Sequence, residues 1–269
     1  MNIKDDWHVN RDEGWKDYWR YETPSHIPAF NTSMQCLEIT KSDRAKIDVD
    51  VSIEKNFKFE VNSVHITSFF ASPLELEELA AGFLLCEGFI SSPNQIISIQ
   101  VSGASIECNI KVDIEQLEQK SLYDRTEDFN SISSTVCFER NDIFNAIGQL
   151  KERAKSWRKT GGTHSSIIFN SRGEILAFCE DVSRACSVDK VVGKVMLSGM
   201  DPADCALVTT GRLSVTMVAK AARAGFVLIA SKAAPLSEGI WLAEKVGITL
   251  VAFARKPNLY VYTRAHRVI

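Results

Sequence analysis

Alternation is the first pattern in this chain. Ile47, Val49, Val51 and Ile53 take turns with Asp48, Asp50 and Ser52. A period of two predicts a half-buried strand. Phe57, Phe59 and Val61 repeat it, and "VHITSFF" follows as a third strand. Tight turns at Lys55-Asn56 and Asn62-Ser63 would make these strands antiparallel. The period then changes. Leu76, Leu79, Ala80, Phe83 and Leu84 recur at helical spacing. Ser72 as N-cap, Pro73 in the first turn and Glu75 three residues on read as a start signal, and Gly88 as a stop. A β pair around Gly103 comes next, with Cys108 on its apolar face.

Residues 121–136 are polar and read as a loop and a candidate boundary. Ile143, Ile147, Leu150, Ala154 and Trp157 then predict one helix, closed by Gly161-Gly162. From His164 onward strands alternate with helices: "HSSIIF" and "EILAFCEDV", the helix "SVDKVVGKVMLSG", the strand "CALVTTG", the helix "RLSVTMVAKAARAG", the strand "FVLIAS", the helix "PLSEGIWLAEKVG", and the strands "ITLVAFA" and "LYVYT". That order indicates an α/β sheet with parallel pairs. The expected division is an arm over residues 1–40, a smaller α+β domain over 41–130 and an α/β domain over 131–269. The arm lacks clear periodicity, with Trp7, Trp15 and Trp19 only loosely spaced.

Composition narrows the function classes. The chain has 269 residues and a formal net charge of −3, too small to suggest nucleic-acid wrapping or a polybasic membrane contact. No apolar run reaches the roughly 18 residues of a membrane span. The polar N-terminus does not read as a signal peptide, so a cytoplasmic location is expected. Seven scattered cysteines, none spaced C-x-x-C, do not form a disulfide framework. The five histidines show no metal-ligand spacing.

Ligands of α/β sheets bind beyond the carboxyl ends of strands. Three turns there are basic: Gly211-Arg212, Lys232 before Pro235, and Arg255-Lys256. Helix N-termini and cations together suggest a phosphate-bearing ligand. His164, in "KTGGTHSS", reads equally as a structural histidine or a ligand contact. "EDVSRACSVDK" packs Glu180, Asp181, Arg184, Asp189 and Lys190 together. It reads either as capping with surface ion pairs or as a charged corner facing the ligand.

The ordered set "ASPLELEELAAGFLLCEGFI", "TGGTHSS", "EDVSRACSVDKVVG", "TTGRLSVTMVAKAARAG", "AAPLSEGIWLAEKVGITLVAFAR" and "YVYT" resembles the FdhD family. The resemblance runs from about residue 45 to 263. It implies a cytidine-deaminase-like three-layer α/β domain without zinc, beside a smaller N-terminal α+β domain with antiparallel strands. It also implies a sulfur carrier required for formate dehydrogenase. Such a protein takes sulfur from a cysteine desulfurase as a cysteine persulfide and passes it to bis-molybdopterin guanine dinucleotide, with GDP or a GTP-like nucleotide as a mimic. The resemblance places cofactor contacts on Phe253, Ala254, Arg255, Lys256, Pro257 and Asn258, on Gly211 and Arg212, and on the Gly161-Gly162-x-His164 turn. Lys232 joins them from the basic-turn reading. A homodimer is implied as well.

The family's C-x-x-C motif falls on Ser134-Thr135-Val136-Cys137, so the first cysteine is a serine, which cannot form a persulfide. Cys137, at a loop-to-helix junction, is the candidate carrier, with helix amides expected to favour its thiolate. Cys186, in "SRACS" where the family has G-R-H-N-A, is a possible stand-in for the lost thiol. The alternative function is a cofactor- or guanine-nucleotide-binding chaperone without sulfur chemistry. A further one is a regulatory or structural role without a ligand at the basic turns.

Overall fold

The structure is a computed structural model that describes residues 29–112, 129 and 131–269. The expected arm up to residue 28 and residues 121–128 and 130 of the expected boundary loop lie outside the described residues. Residues 31–39, read as the end of the arm, form a strand, β1 (Asn31–Ile39). It pairs antiparallel with β2 (Arg44–Ser52) in a two-stranded hairpin. β3 (Lys55–Val61) does not continue that ladder, and the expected turn at Lys55-Asn56 is absent because β3 already starts at Lys55. Instead β3 turns at Asn62-Ser63 into β4 (Val64–Ala71), both turn residues at positive φ as a tight hairpin turn demands. With β5 (Ile96–Ser102) and β6 (Ser105–Ile110) they form a four-stranded sheet of order β4-β3-β6-β5.

Helix α1 (Leu76–Cys86) starts later than its sequence signals suggest. Its N-cap is Glu75 in a left-handed conformation, without a side-chain cap. Ser72 is buried and otherwise employed: its N–H donates to Asp181 Oδ2 at 3.0 Å and its carbonyl accepts from Lys190 Nζ at 3.0 Å.

The large sheet contains six strands: β7 (His164–Asn170), β8 (Ile175–Asp181), β9 (Cys205–Thr209), β10 (Leu228–Ser231), β11 (Thr249–Arg255) and β12 (Asn258–Val261). Their order is β12-β11-β10-β9-β7-β8, with β9, β10 and β11 parallel. β9 and β10 are buried at every residue, as central parallel strands are. Alternation sorts their side chains onto two faces. Ile167, Phe169, Val208 and Ala230 pack under helix α2 (Arg140–Arg153). Ile168, Leu207, Ile229 and Leu250 pack under α4 (Arg184–Leu197), α5 (Val215–Arg223) and α6 (Ser237–Val246). Beyond α4 lie α1 and the four-stranded sheet.

The expected long helix is broken. Ala154, at φ −73 and ψ 83, separates α2 from a short helix α3 (Lys155–Thr160).

In the charged run "EDVSRACSVDK" the expected capping is present, Ser183 Oγ accepting from the Cys186 N–H, and Arg184 is exposed, but Asp181, Asp189 and Lys190 form a buried joint between the two sheets. Lys190 and Asp181 pair at 2.6 Å with both side chains fully buried. Lys220 bonds Asp189 at 2.8 Å and Glu87 at 2.6 Å, and Arg223 Nη1 donates to the Cys86 carbonyl at 2.8 Å. At the same joint α1 and α4 cross with glycines in contact. A Cβ on Gly82 would stand 1.8 Å from the Asp189 carbonyl oxygen, and one on Gly193 1.9 Å from that of Glu78. Only glycine permits so close an approach.

Candidate functional site

β9, β10 and β11 end at a common edge, and β7 begins there because it runs antiparallel to β9. Ser231 Oγ donates to the Gly211 carbonyl at 2.7 Å, tying two of the turns together. Phe253, at positive φ, donates its N–H to Ala233 at 3.1 Å and ties in the third. Next to them a cavity of about 310 Å3 opens, lined among others by Trp157, Gly162, His164, Thr210, Lys151 and Lys232.

The cavity is cationic. Lys232 Nζ lies 5.5 Å and Lys151 Nζ 5.6 Å from the Trp157 ring centre. Burial, then the charges of Arg255 and Lys151, push the Lys232 pKa down. Burial, then Arg184 and Lys232, push His164 below the ordinary histidine value. His164 Nδ1 lies 3.0 Å from Thr210 Oγ1. Like charges gathered this way repel one another until an anion joins them. The arrangement suits a phosphate, and the indole face suits a stacked ring.

The expected site residues divide. His164 and Lys232 line the cavity, Gly211 is buried at its edge, and Arg255 acts on Lys232 through charge. Arg212 is exposed and does not line the cavity. "FARKPN" is not a strand-to-helix turn: Arg255 pairs with Asn258, and Lys256-Pro257 form the exposed tip of the β11–β12 hairpin. Ala254 is buried, and Phe253 is half-exposed against Tyr260. From the charged run, Val182 lines the cavity, Glu180 bonds its lining residues Trp157 and Thr163, and Arg184 stands against Gly211 and His164.

Trp157 and Lys151 were not singled out as site residues. Helical periodicity assigned Trp157 to a core face, and the break at Ala154 redirects it. Glu180 secures that redirection: its carboxylate accepts from the N–H groups of Ser156 at 3.2 Å and Trp157 at 2.6 Å and from Thr163 Oγ1 at 2.6 Å.

Cys137 lies elsewhere. Its segment is held at the amino end of β11, the opposite edge of the sheet. Ile132 N–H donates to Val246 at 2.8 Å, and Phe138 exchanges backbone bonds with Arg267 and Ile269. Arg267 is buried and donates from Nη1 to Gly247 at 2.6 Å and from Nε to Ser134 at 3.1 Å. β11 has seven residues, so about 20 Å separate the two edges at ~3.3 Å per residue.

The expected support from helix amides is also missing. Cys137 precedes the α2 N-cap, Glu139, by two residues, and its Sγ contacts are carbonyl oxygens, Thr135 and His266, both at 3.6 Å. Cys137 is half-buried, whereas Cys86, Cys108, Cys179, Cys186 and Cys205 are buried and Cys36 is exposed. Cys186 sits in the first turn of α4, where burial pushes its thiol up to about 12. It is in the core and on the cavity's side of the sheet, so it does not meet Cys137. Among the described residues no group of histidines, cysteines and carboxylates is placed to hold a metal ion.

The model of the FdhD/NarQ family matches residues 52–269. The sulfur carrier protein FdhD of Methanothermobacter thermautotrophicus is 31% identical over 236 residues, covering 84% of this chain and 94% of that protein. The sulfur carrier protein FdhD of Saccharolobus solfataricus is 34% identical over 212 residues, covering 73% and 81%. A crystal structure from Desulfotalea psychrophila, described as a formate dehydrogenase accessory protein, superposes with a TM-score of 0.77 at 30% identity, covering 90% of this chain and all of that one.

Proposed function

The chain belongs to the FdhD/NarQ family, and from that membership we propose that it is a cytoplasmic, homodimeric sulfur carrier serving formate dehydrogenase, with Cys137 as the carrier. The observation that carries this reading is that Cys137 is only half-buried in a chain whose other thiols, the exposed Cys36 apart, are buried. The Cys137 sulfur attacks the terminal sulfur of a persulfide on a cysteine desulfurase. One S–S bond forms, one breaks, and the donor leaves as its thiolate. The receiving cargo is bis-molybdopterin guanine dinucleotide, whose phosphates are matched by Lys232, Lys151 and Arg255 and whose guanine or pterin is matched by Trp157 and His164. We read the six-stranded sheet with its helices as the cytidine-deaminase-like domain of the family.

Release of the carried sulfur as sulfide consumes two electrons. With serine at position 134 no neighbouring thiol of the motif supplies them, so a second thiol from outside the motif attacks the persulfide. It becomes the mixed disulfide as sulfide departs. The test is incubation with a cysteine desulfurase and labelled cysteine. Label on Cys137 by mass spectrometry supports the reading, and its absence rejects it.

A second reading is favoured by Ser134 and by the two-edge layout: a chaperone that binds the guanylated cofactor without moving sulfur. Titration calorimetry with GDP measures the binding. Formate dehydrogenase activity that survives Cys137→Ala in complementation selects this second reading over the first.

A further inference from the structure

The β1–β2 hairpin is not absorbed by the site, and it precedes the family match at residues 52–269. Its register puts Thr32, Met34 and Cys36 opposite Val51, Val49 and Ile47 on one face. On that apolar face Met34 is 39% and Val51 36% exposed, and Cys36 and Ala45 are exposed too. The alternation of β2 calls for a half-buried strand, yet its outer edge has no strand beside it among the described residues. The hairpin meets the body at its base, where Ser52 Oγ lies 2.6 Å from Thr160 Oγ1 and 3.3 Å from Ser156 Oγ, and Ser156 Oγ donates to Asn31 Oδ1. An isolated two-stranded hairpin is marginal in water, and a sheet of three or more strands is stable.

The edge also carries a charge code. β2 is basic in its first half, with Arg44 and Lys46, and acidic in its second, with Asp48 and Asp50. All four are exposed. Consider two β2 edges meeting antiparallel about a two-fold axis through Ile47. Lys46 then faces the partner's Asp48, and Arg44 faces the partner's Asp50. Each pair occurs twice. On the other face Ile47 meets the partner's Ile47, and Ala45 meets the partner's Val49. Moving the axis to Asp48 sets the two Asp48 side chains against each other. Moving it to Lys46 does the same with the lysines. A single register satisfies every charge. β1 carries only Glu38 and encodes no such register.

We propose that a second copy of this chain docks here, edge to edge, forming a continuous four-stranded sheet β1-β2-β2′-β1′ centred on Ile47. This rests on the homodimer reading above and gives it a surface. Sulfur carriage plays no part in it. The partner is a copy of the chain because the charge gradient complements itself.

The test is sedimentation equilibrium on the full chain. The wild type is a dimer. Lys46→Asp replaces two attractive cross-strand pairs by two repulsive ones and raises the dimer Kd by about tenfold or more. Within its own hairpin Lys46 faces Leu37 and Asp48 faces Gln35, so the changes leave the protomer intact, which circular dichroism checks. The double variant Lys46→Asp with Asp48→Lys restores opposite charges across the axis and returns Kd toward the wild-type value. A monomeric wild type overturns the proposal. So does a dimer indifferent to Lys46→Asp, which places the interface elsewhere. A double variant that stays dissociated overturns the register. None of these results bears on label at Cys137, so this proposal and sulfur carriage fail separately.

Discussion

Replacing Arg267 by glutamine removes the guanidinium that fastens the Cys137 segment to the sheet. Two of its contacts are short, to Gly247 at 2.6 Å and Ser134 at 3.1 Å. Two are long, to Thr249 Oγ1 at 3.3 Å and Ile132 at 3.4 Å. A hydrogen bond to a charged group contributes about 1.5–3 kcal/mol, and water reaching the freed carbonyls recovers part of it, so a loss of about 3 kcal/mol is expected. For a chain of this size that lowers Tm by about 6–12 °C. If the loss is confined to the loop, opening of 131–138 becomes about a hundredfold more frequent. Hydrogen exchange at the Ile132 and Phe138 amides reads that opening directly, because both donate within the dock. Arg267→Lys keeps one short contact and loses about half as much. Unchanged melting together with unchanged exchange at both amides in the glutamine variant refutes the reasoning.

Lys190→Met strands Asp181 at zero exposure and costs about 3–5 kcal/mol; a denaturant midpoint equal to wild type counts against a buried ion pair at the joint. Gly82→Ala drives a methyl into the Asp189 carbonyl and is expected to cost more than about 4 kcal/mol or abolish folding, visible in expression and melting. Lys232→Ala removes one phosphate-directed charge and weakens GDP binding by about tenfold, most clearly at low salt; equal calorimetric Kd values remove the cavity from consideration. His164 has a folded pKa below its unfolded value, so the unfolded chain takes up the extra proton. Its contribution to stability is therefore full above about pH 6.5 and declines as pH falls below that, a slope that His164→Gln removes from the Tm-against-pH curve.

Periodicity makes most elements legible in the sequence, because strands and helices in a packed core must turn apolar side chains inward every two or about 3.6 residues. The errors came where distant residues overrule local chemistry. Ser72, Pro73 and Glu75 spell a helix start, but Ser72 is taken by Asp181 and Lys190, more than a hundred positions away. Lys190 and Asp189 read either as surface ion pairs or as a corner facing the ligand, since an isolated window does not show that each meets an opposite charge inside the joint. Lys232 sits at the cavity because strand-to-helix turns converge at one edge of a parallel sheet, whereas for His164, the first residue of β7, the sequence left a structural role and a ligand contact equally open. Trp157 was not legible, because its placement depends on a break at Ala154 in an otherwise unbroken helical pattern. The dock of Cys137 joins residues 132–138 to 264–269, and no local signal announces such a pairing.

That dock shapes the sulfur-carrier reading. Cys137 and the cationic cavity lie at opposite ends of β11, about 20 Å apart at ~3.3 Å per residue, with the sheet core between them. Delivery within one chain in this arrangement requires the segment to leave Ile132–Val246, Ser134–Arg267 and Phe138–Ile269 behind. The hydrogen bonds of residues 132–134 lie at the rim of the fold, but Phe138, next to Cys137, is fully buried against Phe169, so complete detachment also exposes that ring. Local opening draws on the weakest part of a structure first. Residues 131–137 therefore open before the core does, with Phe138 as their buried anchor. On the sulfur-carrier reading, the same geometry keeps Cys137 away from the cationic cavity until detachment. On that reading loading and delivery are separate states, and Arg267 and the buried Phe138 set the free-energy gap between them.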